Sequence, residues 1–285
     1  MPARNGWTEG GADVGEVRLR WIEAGVGPPV LLLHGFPEFG YAWRHQLPAL
    51  AAAGFRAVAP DLRGYNRSEK PPGYRNYTVQ RLADDVAGLV EALGGAPVHL
   101  VGHDWGGVVA WHVAMHHPEL VDRLVIINAP HPAIFRREIV KPGQFLRSWY
   151  VYFFQLPVLP EWVLRRRGFA VLERIFRSDT VRPGAYTEAD IARYREAAAR
   201  PGALTAMLNY YRAARLPRPR PVPVRAPTLL VWGMKDGALS PRNTEGLEPW
   251  VPDLRIERIE ESSHWVMSEV PERLNELLAG FLRSS

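Results

Sequence analysis

The sequence predicts an α/β protein: a mostly parallel central sheet with helices on both faces and a helical insertion past its middle. Three observations predict it. Short β-type runs alternate with helical patterns through most of the chain. The alternation stops between about residues 131 and 226, where helical periodicity takes over, and it resumes directly afterwards. A glycine-rich turn, Gly102-His103-Asp104-Trp105-Gly106, joins an apolar run to an apolar helix.

Taken in order, residues 1–15 are polar and glycine-rich, with no apolar segment of signal-peptide type and no predicted strand. Residues 17–23 alternate Val17, Leu19 and Trp21 with Arg18 and Arg20, the period of a half-exposed edge strand. The later runs, at 30–34, 57–60, 98–102, 124–128, 228–233 and 255–260, are expected to be strands buried on both faces. Functional residues then belong at the carboxyl ends of the central strands. The aromatic- and Arg-rich middle is expected to be helical, for example over 187–200 and 202–215, and ends in the Pro-rich segment 216–227. This divides the chain into a core domain, 1–131 and 226–285, and an inserted helical cap or lid, 132–225.

Composition excludes several classes. At 285 residues and 47% hydrophobic, the chain can bury one large core or two modest ones. No segment is apolar enough to span a membrane, and the expected location is cytoplasmic. Cysteine is absent, which rules out disulfides, thiolate metal sites and a cysteine nucleophile. The net charge of +5 comes mostly from arginines scattered among acids. Only Arg165-Arg166-Arg167 and the stretch 215–225 cluster, as a solvated helix face and a stiff Arg/Pro linker, so no nucleic-acid partner is expected.

The chemistry begins at Asp104. A carboxylate on a sharp strand-to-helix turn attacks an electrophilic saturated carbon and forms an alkyl ester, whereas a serine there would attack a carbonyl. Glycines at 102, 106 and 107 remove side chains that would collide in so tight a turn. The helix that starts there offers backbone N–H groups that favour an ionised Asp104. A base is then needed to hydrolyse the ester, and His264, in Glu261-Ser262-Ser263-His264-Trp265 after the last strand, is the candidate among nine histidines. Asp236, at the carboxyl end of the 228–233 strand, is the acid that orients it; the alternative position, after the 124–128 strand, carries Asn128 and no carboxylate. The loop His34-Gly35-Phe36-Pro37-Glu38 follows a strand, and the backbone N–H groups of Phe36 and Trp105 are assigned as an oxyanion hole.

His34 to Glu38, Gly102 to Gly107 (GHDWGG) and Ser262 to Trp265 (SSHW) together resemble the epoxide hydrolases of the α/β-hydrolase superfamily, which are related to haloalkane and haloacetate dehalogenases. The similarity covers essentially the whole chain. The resemblance implies the α/β-hydrolase fold and two cap tyrosines that hydrogen-bond the epoxide oxygen as the ring opens. Asn209-Tyr210-Tyr211-Arg212 resembles the family's N-W-Y-R element and implies Tyr211 as one donor, with Tyr210 in place of the usual Trp. Tyr150 matches the other donor by its distance from the Phe154-Gln155 pair, and Tyr152 competes for that role. Phe36 stands where haloalkane enzymes typically carry Asn, and Trp105 where haloacetate enzymes carry Arg; both departures favour epoxides.

The expectation is a cofactor-independent, metal-free epoxide hydrolase that converts a small, apolar epoxide and water to a vicinal diol. Phe36, Trp105, Tyr152 and Trp265 are expected to line its substrate pocket. The rivals are a dehalogenase that uses the same aspartate and a catalytically silent binding protein of the same fold.

Overall fold

A computed structural model describes residues 6–95 and 97–283; residues 1–5 of the polar N-terminal stretch lie outside the described residues. Among the described residues eight strands form one sheet: β1 (Thr8–Val14), β2 (Val17–Ala24), β3 (Pro29–Leu33), β4 (Arg56–Asp61), β5 (Val98–His103), β6 (Val121–Ile127), β7 (Thr228–Gly233) and β8 (Leu254–Ile259). Their spatial order is β1-β2-β4-β3-β5-β6-β7-β8. β2 pairs antiparallel with β1 and β4, and every other pairing is parallel.

Each strand expected from the sequence is present, and β1 is an addition. It pairs along the whole of β2, from Thr8 opposite Glu23 to Val14 opposite Val17, so β2 lies inside the sheet and β1 is the edge. The half-exposed alternation of β2 remains, with Val17, Leu19 and Trp21 buried and Arg18 and Arg20 exposed. β1 escapes a pattern search because its residues are polar and glycine-rich. Gly10 is needed where it stands: a Cβ there would lie 2.3 Å from the Trp21 indole. β8 departs in the other direction. As the opposite edge it buries only Ile259 fully, so it is not covered on both faces.

Two cores form on the two faces, and strand alternation assigns residues to each. Leu31, Leu33, Leu100, Leu124, Ile126, Leu230 and Trp232 face one core with α2 (Val79–Ala92) and α3 (Trp105–His116). Val30, Leu32, Val101, Val125, Ile127, Leu229 and Val231 face the other. That second core is closed by α1 (Gln46–Ala52) and by a C-terminal helix, Pro271–Arg283, whose Leu274, Leu277, Leu278 and Leu282 recur at helical spacing.

Between β6 and β7 the described chain is helical: α4 (Pro132–Glu138), α5 (Pro142–Arg147), α6 (Trp149–Phe153), α7 (Leu159–Ser178), α8 (Glu188–Ala199) and α9 (Ala203–Ala213). A short α10 (Val266–Glu269) precedes the C-terminal helix, α11. α7 breaks at Arg166–Phe169, where Arg167, Gly168 and Phe169 take positive φ and the three consecutive arginines turn to solvent. α8 opens with a capping box between Thr187 and Asp190. The same Asp190 accepts from the Tyr41 hydroxyl at 2.7 Å and pairs with Arg44, fastening the inserted helices to the loop after β3. No helix among the described residues is long and apolar enough to cross a membrane.

Candidate active site

The turn after β5 is as crowded as its glycines require. Asp104 has φ 49° and ψ −119°, a conformation costly for a residue with a side chain, and α3 starts at the next residue. A Cβ on Gly106 would lie 2.1 Å from the Leu33 carbonyl oxygen, and one on Gly35 would lie 2.4 Å from Asp104 Cβ. The loop after β3 therefore runs directly against Asp104, and the Phe36 N–H donates to Asp104 Oδ1 at 2.8 Å. His34 braces this loop. Its Nδ1–H donates to the Gly35 carbonyl at 2.9 Å and its Nε2 accepts from the Leu62 N–H at 3.0 Å. Burial pushes the His34 pKa down to about 3, which suits this neutral tautomer.

His264 arrives from the loop after β8 and Asp236 from the loop after β7. His264 Nδ1 lies 2.7 Å from Asp236 Oδ2, and its Nε2 faces Asp104 Oδ2 at 3.7 Å. Asp236 is fully enclosed: Oδ1 accepts from the Ala238 and Leu239 N–H groups, both at 2.8 Å, and Oδ2 accepts from Asn128 Nδ2 at 2.7 Å. Burial alone would raise its pKa, but the imidazolium and these hydrogen bonds hold it below the usual carboxylate range. For His264, burial disfavours the charged ring, yet Asp236, and after it Asp104 and Asp179, raise the pKa to about 9.

Two phenols of the inserted helices, Tyr211 buried and Tyr150 partly buried, approach Asp104. Tyr150 on α6 and Tyr211 on α9 have ring centroids 5.9 Å apart. Tyr211 also meets the edges of Phe36, Trp105 and Phe154 at 5.4, 5.1 and 5.0 Å. Burial first, and the Asp104 charge second, push both phenol pKa values above their ordinary range, so each keeps its proton. A clasp joins the two helices. Gln155 Nε2 donates to the Tyr211 carbonyl at 2.9 Å, while Arg212 donates to the carbonyls of Phe154 and Leu156 and pairs with Glu161 at 2.7 Å. Tyr210 points elsewhere, donating to the Arg63 carbonyl at 2.7 Å among Tyr65, Tyr77 and Trp105.

Two residues expected in the pocket lie differently. Tyr152 is half exposed on the outer side of α6, against Phe145, because a two-residue step on a helix turns away from Tyr150. Trp265 is buried beside His264 in an aromatic cluster with Phe176, Tyr186 and Tyr194. Four contributors were not singled out from the sequence as members of this site. Asn128, at φ 42°, bridges Gly233 and Asp236. Arg147 donates to the carbonyls of Asp236 and Gly237. Asp179 adds a carboxylate charge near His264. Glu38 lies 3.2 Å from His103 Nδ1, and His103 Nε2 donates to the His264 carbonyl at 2.9 Å.

A cleft of about 1030 Å³ opens elsewhere, between β1, β2, the loop after β4 and α8. It shares none of the residues that surround Asp104. Among the described residues no group of three or more His, Cys, Asp or Glu side chains is arranged to hold a metal ion.

The α/β-hydrolase fold family matches residues 28–271. The AB hydrolase superfamily protein YfhM of Bacillus subtilis is 42% identical over 262 residues, spanning 90% of this chain and 91% of that protein. Human epoxide hydrolase 4 is 38% identical, spanning 94% of this chain and 76% of its own length. Among solved structures, the Bacillus megaterium epoxide hydrolase in complex with an inhibitor is 34% identical and superposes with a TM-score of 0.89, covering 96% of this chain and 100% of that one.

Proposed function

This chain belongs to the α/β-hydrolase fold family, among its epoxide hydrolases, and on that footing we propose that it hydrolyses an epoxide to a vicinal diol through an ester on Asp104. The observation that carries the reading is the pair of protonated phenols, the partly buried Tyr150 and the buried Tyr211, clasped together beside an elbow carboxylate. Opening an epoxide generates an alkoxide, a poor leaving group unless a proton or strong hydrogen bonds meet it. A phenol held protonated at neutral pH supplies both.

In the first half-reaction an Asp104 oxygen bonds to an epoxide carbon, the ring C–O bond breaks, and the freed oxygen takes a proton from a tyrosine. Esterification removes the Asp104 charge that helped raise the His264 pKa. The imidazole then becomes a better candidate for its neutral, proton-accepting form. In the second half-reaction His264 takes a proton from water as its oxygen adds to Asp104 Cγ, and the backbone N–H groups of Phe36 and Trp105 stabilise the oxyanion. The intermediate collapses, His264 returns the proton to the leaving diol oxygen, and the proton shed by the new carboxyl group restores the phenol. Asp236 holds the imidazole tautomer throughout. The helices of 132–225 act as the cap that delivers the phenols, and the core of 1–131 and 226–285 carries the triad.

The dehalogenase reading requires N–H donors for a departing halide. Phe36 offers only its backbone N–H, which already donates to Asp104, and the Trp105 ring is packed edge-on against Tyr211. The test is a single turnover in heavy-oxygen water on styrene-type and aliphatic epoxides. Label should enter Asp104 and the first diol should carry an unlabelled oxygen. Label in the diol with none in the Asp104 peptide excludes the ester, and faster turnover of haloalkanes or fluoroacetate than of any epoxide returns the dehalogenase.

A further inference from the structure

We propose that the outer face of the cap, formed by α5, α6 and the first half of α7, docks on the surface of an anionic lipid bilayer. The face is apolar to a degree unusual for exposed helices. Leu146, Trp149 and Val158 are 69%, 64% and 75% exposed, and Tyr152, Leu159 and Trp162 are about half exposed. Phe145 and Tyr152 touch with ring centroids 5.3 Å apart and Trp149 lies 6.1 Å from Phe153, so exposed aromatic rings of α5 and α6 adjoin one another. Val158 opens α7 at φ 63°, a conformation that a β-branched residue resists, and it gains little packing there. Its side chain stands out as a tip.

Charge decides what meets this patch. Residues 140–167 carry Lys141, Arg147, Arg165, Arg166 and Arg167 but a single carboxylate, Glu161, which is turned inward onto Arg212. The three consecutive arginines are exposed and make no ion pair among the described residues, and Arg166 lies over the Trp162 ring at 4.4 Å. A second copy of the chain in a two-fold contact would bring arginines onto arginines with no free carboxylate to meet them. Acidic headgroups supply that complement, and Trp and Tyr side chains suit the headgroup level of a bilayer.

The inner side of α6 carries the partly buried Tyr150, and the buried Phe154 follows at its end, both beside Tyr211. One short helix thus separates the bilayer surface from the site. Apolar epoxides concentrated in lipid would reach Asp104 across it, a consequence that rests on the epoxide reading, whereas the docking does not.

The test is flotation of the intact protein with vesicles of phosphatidylcholine alone or mixed with phosphatidylglycerol. Association with the mixed vesicles is expected, released by high salt. Replacing Arg165, Arg166 and Arg167 together by Ser should weaken it about a hundredfold, at roughly fivefold per arginine. Trp149→Ser combined with Trp162→Ser should weaken it independently. Unchanged melting temperatures check that the variants are folded, and turnover of a soluble epoxide reports the catalytic reading separately. The proposal is overturned if the protein stays with the soluble fraction, if it binds phosphatidylcholine alone equally well, or if neither variant changes binding. A concentration-dependent dimer abolished by the Trp variant would also overturn it, by giving the face to a second copy.

Discussion

Asp236→Asn should separate the two half-reactions, and its effect follows from four hydrogen bonds. In the native site Oδ1 accepts from two backbone N–H groups at 2.8 Å, while Oδ2 faces the Asn128 amide and His264 Nδ1, each at 2.7 Å. An asparagine has one oxygen, and the two backbone donors claim it. Its NH2 group must then sit where Oδ2 was, against the Asn128 NH2 and the imidazole. A donor in that place makes Nδ1 an acceptor and moves the ring proton to Nε2, the nitrogen that must accept a proton from water. Reversing the tautomer in the Ser-His-Asp triad costs about 10⁴ in kcat, or roughly 5.4 kcal/mol at about 1.36 kcal/mol per tenfold. That loss should fall on ester hydrolysis. Ring opening needs no base and should stay within about tenfold of the native rate. Rapid-quench mass spectrometry of the Asp104 peptide measures both steps, and a stoichiometric ester that persists is the expected result. An ester decaying at the native rate would refute the tautomer argument, and equal loss of both steps would refute the division of labour.

Three further outcomes follow from the same geometry. Tyr211→Phe should slow ring opening by roughly ten- to a thousandfold, and adding Tyr150→Phe should nearly abolish it; presteady-state alkylation rates give the comparison, and a double mutant alkylating at the native rate would remove the phenols from the mechanism. Asp104→Asn should lower the His264 pKa from about 9, because one of the charges that raise it is gone, as NMR titration of the ring will report. A folded pKa above the unfolded 6.5 contributes stability that is complete below 6.5 and lost as pH rises through about 9, so the native melting temperature should fall more across that window than that of Asp104→Asn. Gly35→Ala puts a methyl 2.4 Å from Asp104 Cβ and should cost on the order of 1–3 kcal/mol in thermal unfolding while suppressing alkylation; a fully active, fully stable variant would show that the loop can yield.

Strands β3 to β7 were legible because buried runs leave continuous apolar stretches, β2 because its apolar residues alternate with arginines, and the elbow because its glycines and aspartate are adjacent in the chain. β1 was not, since it exists through pairing with β2 and owes Gly10 to the Trp21 ring lying across it. Tyr150 and Tyr152 sit in one aromatic run of identical composition, and only the helix direction sends one inward. Asn128 and Arg147 converge on Asp236 from 108 and 89 residues away, distances at which local pattern carries no signal.

Gln155 and Arg212 make the two phenols one jaw, and Asp104 with His264 belongs to the other. A displacement of one jaw against the other would carry both phenols together, keeping their 5.9 Å centroid spacing while changing their height over Asp104. Under the proposed mechanism, the pairing of the phenols would serve the single oxygen of a three-membered ring, and their height over Asp104 would limit the bulk carried by its carbons. Lengthening or shortening the connections at 128–131 and 216–227 would alter the second quantity and spare the first. On that mechanism, functional-group recognition and size tolerance would reside in different stretches of chain and could diverge separately among descendants of this sequence.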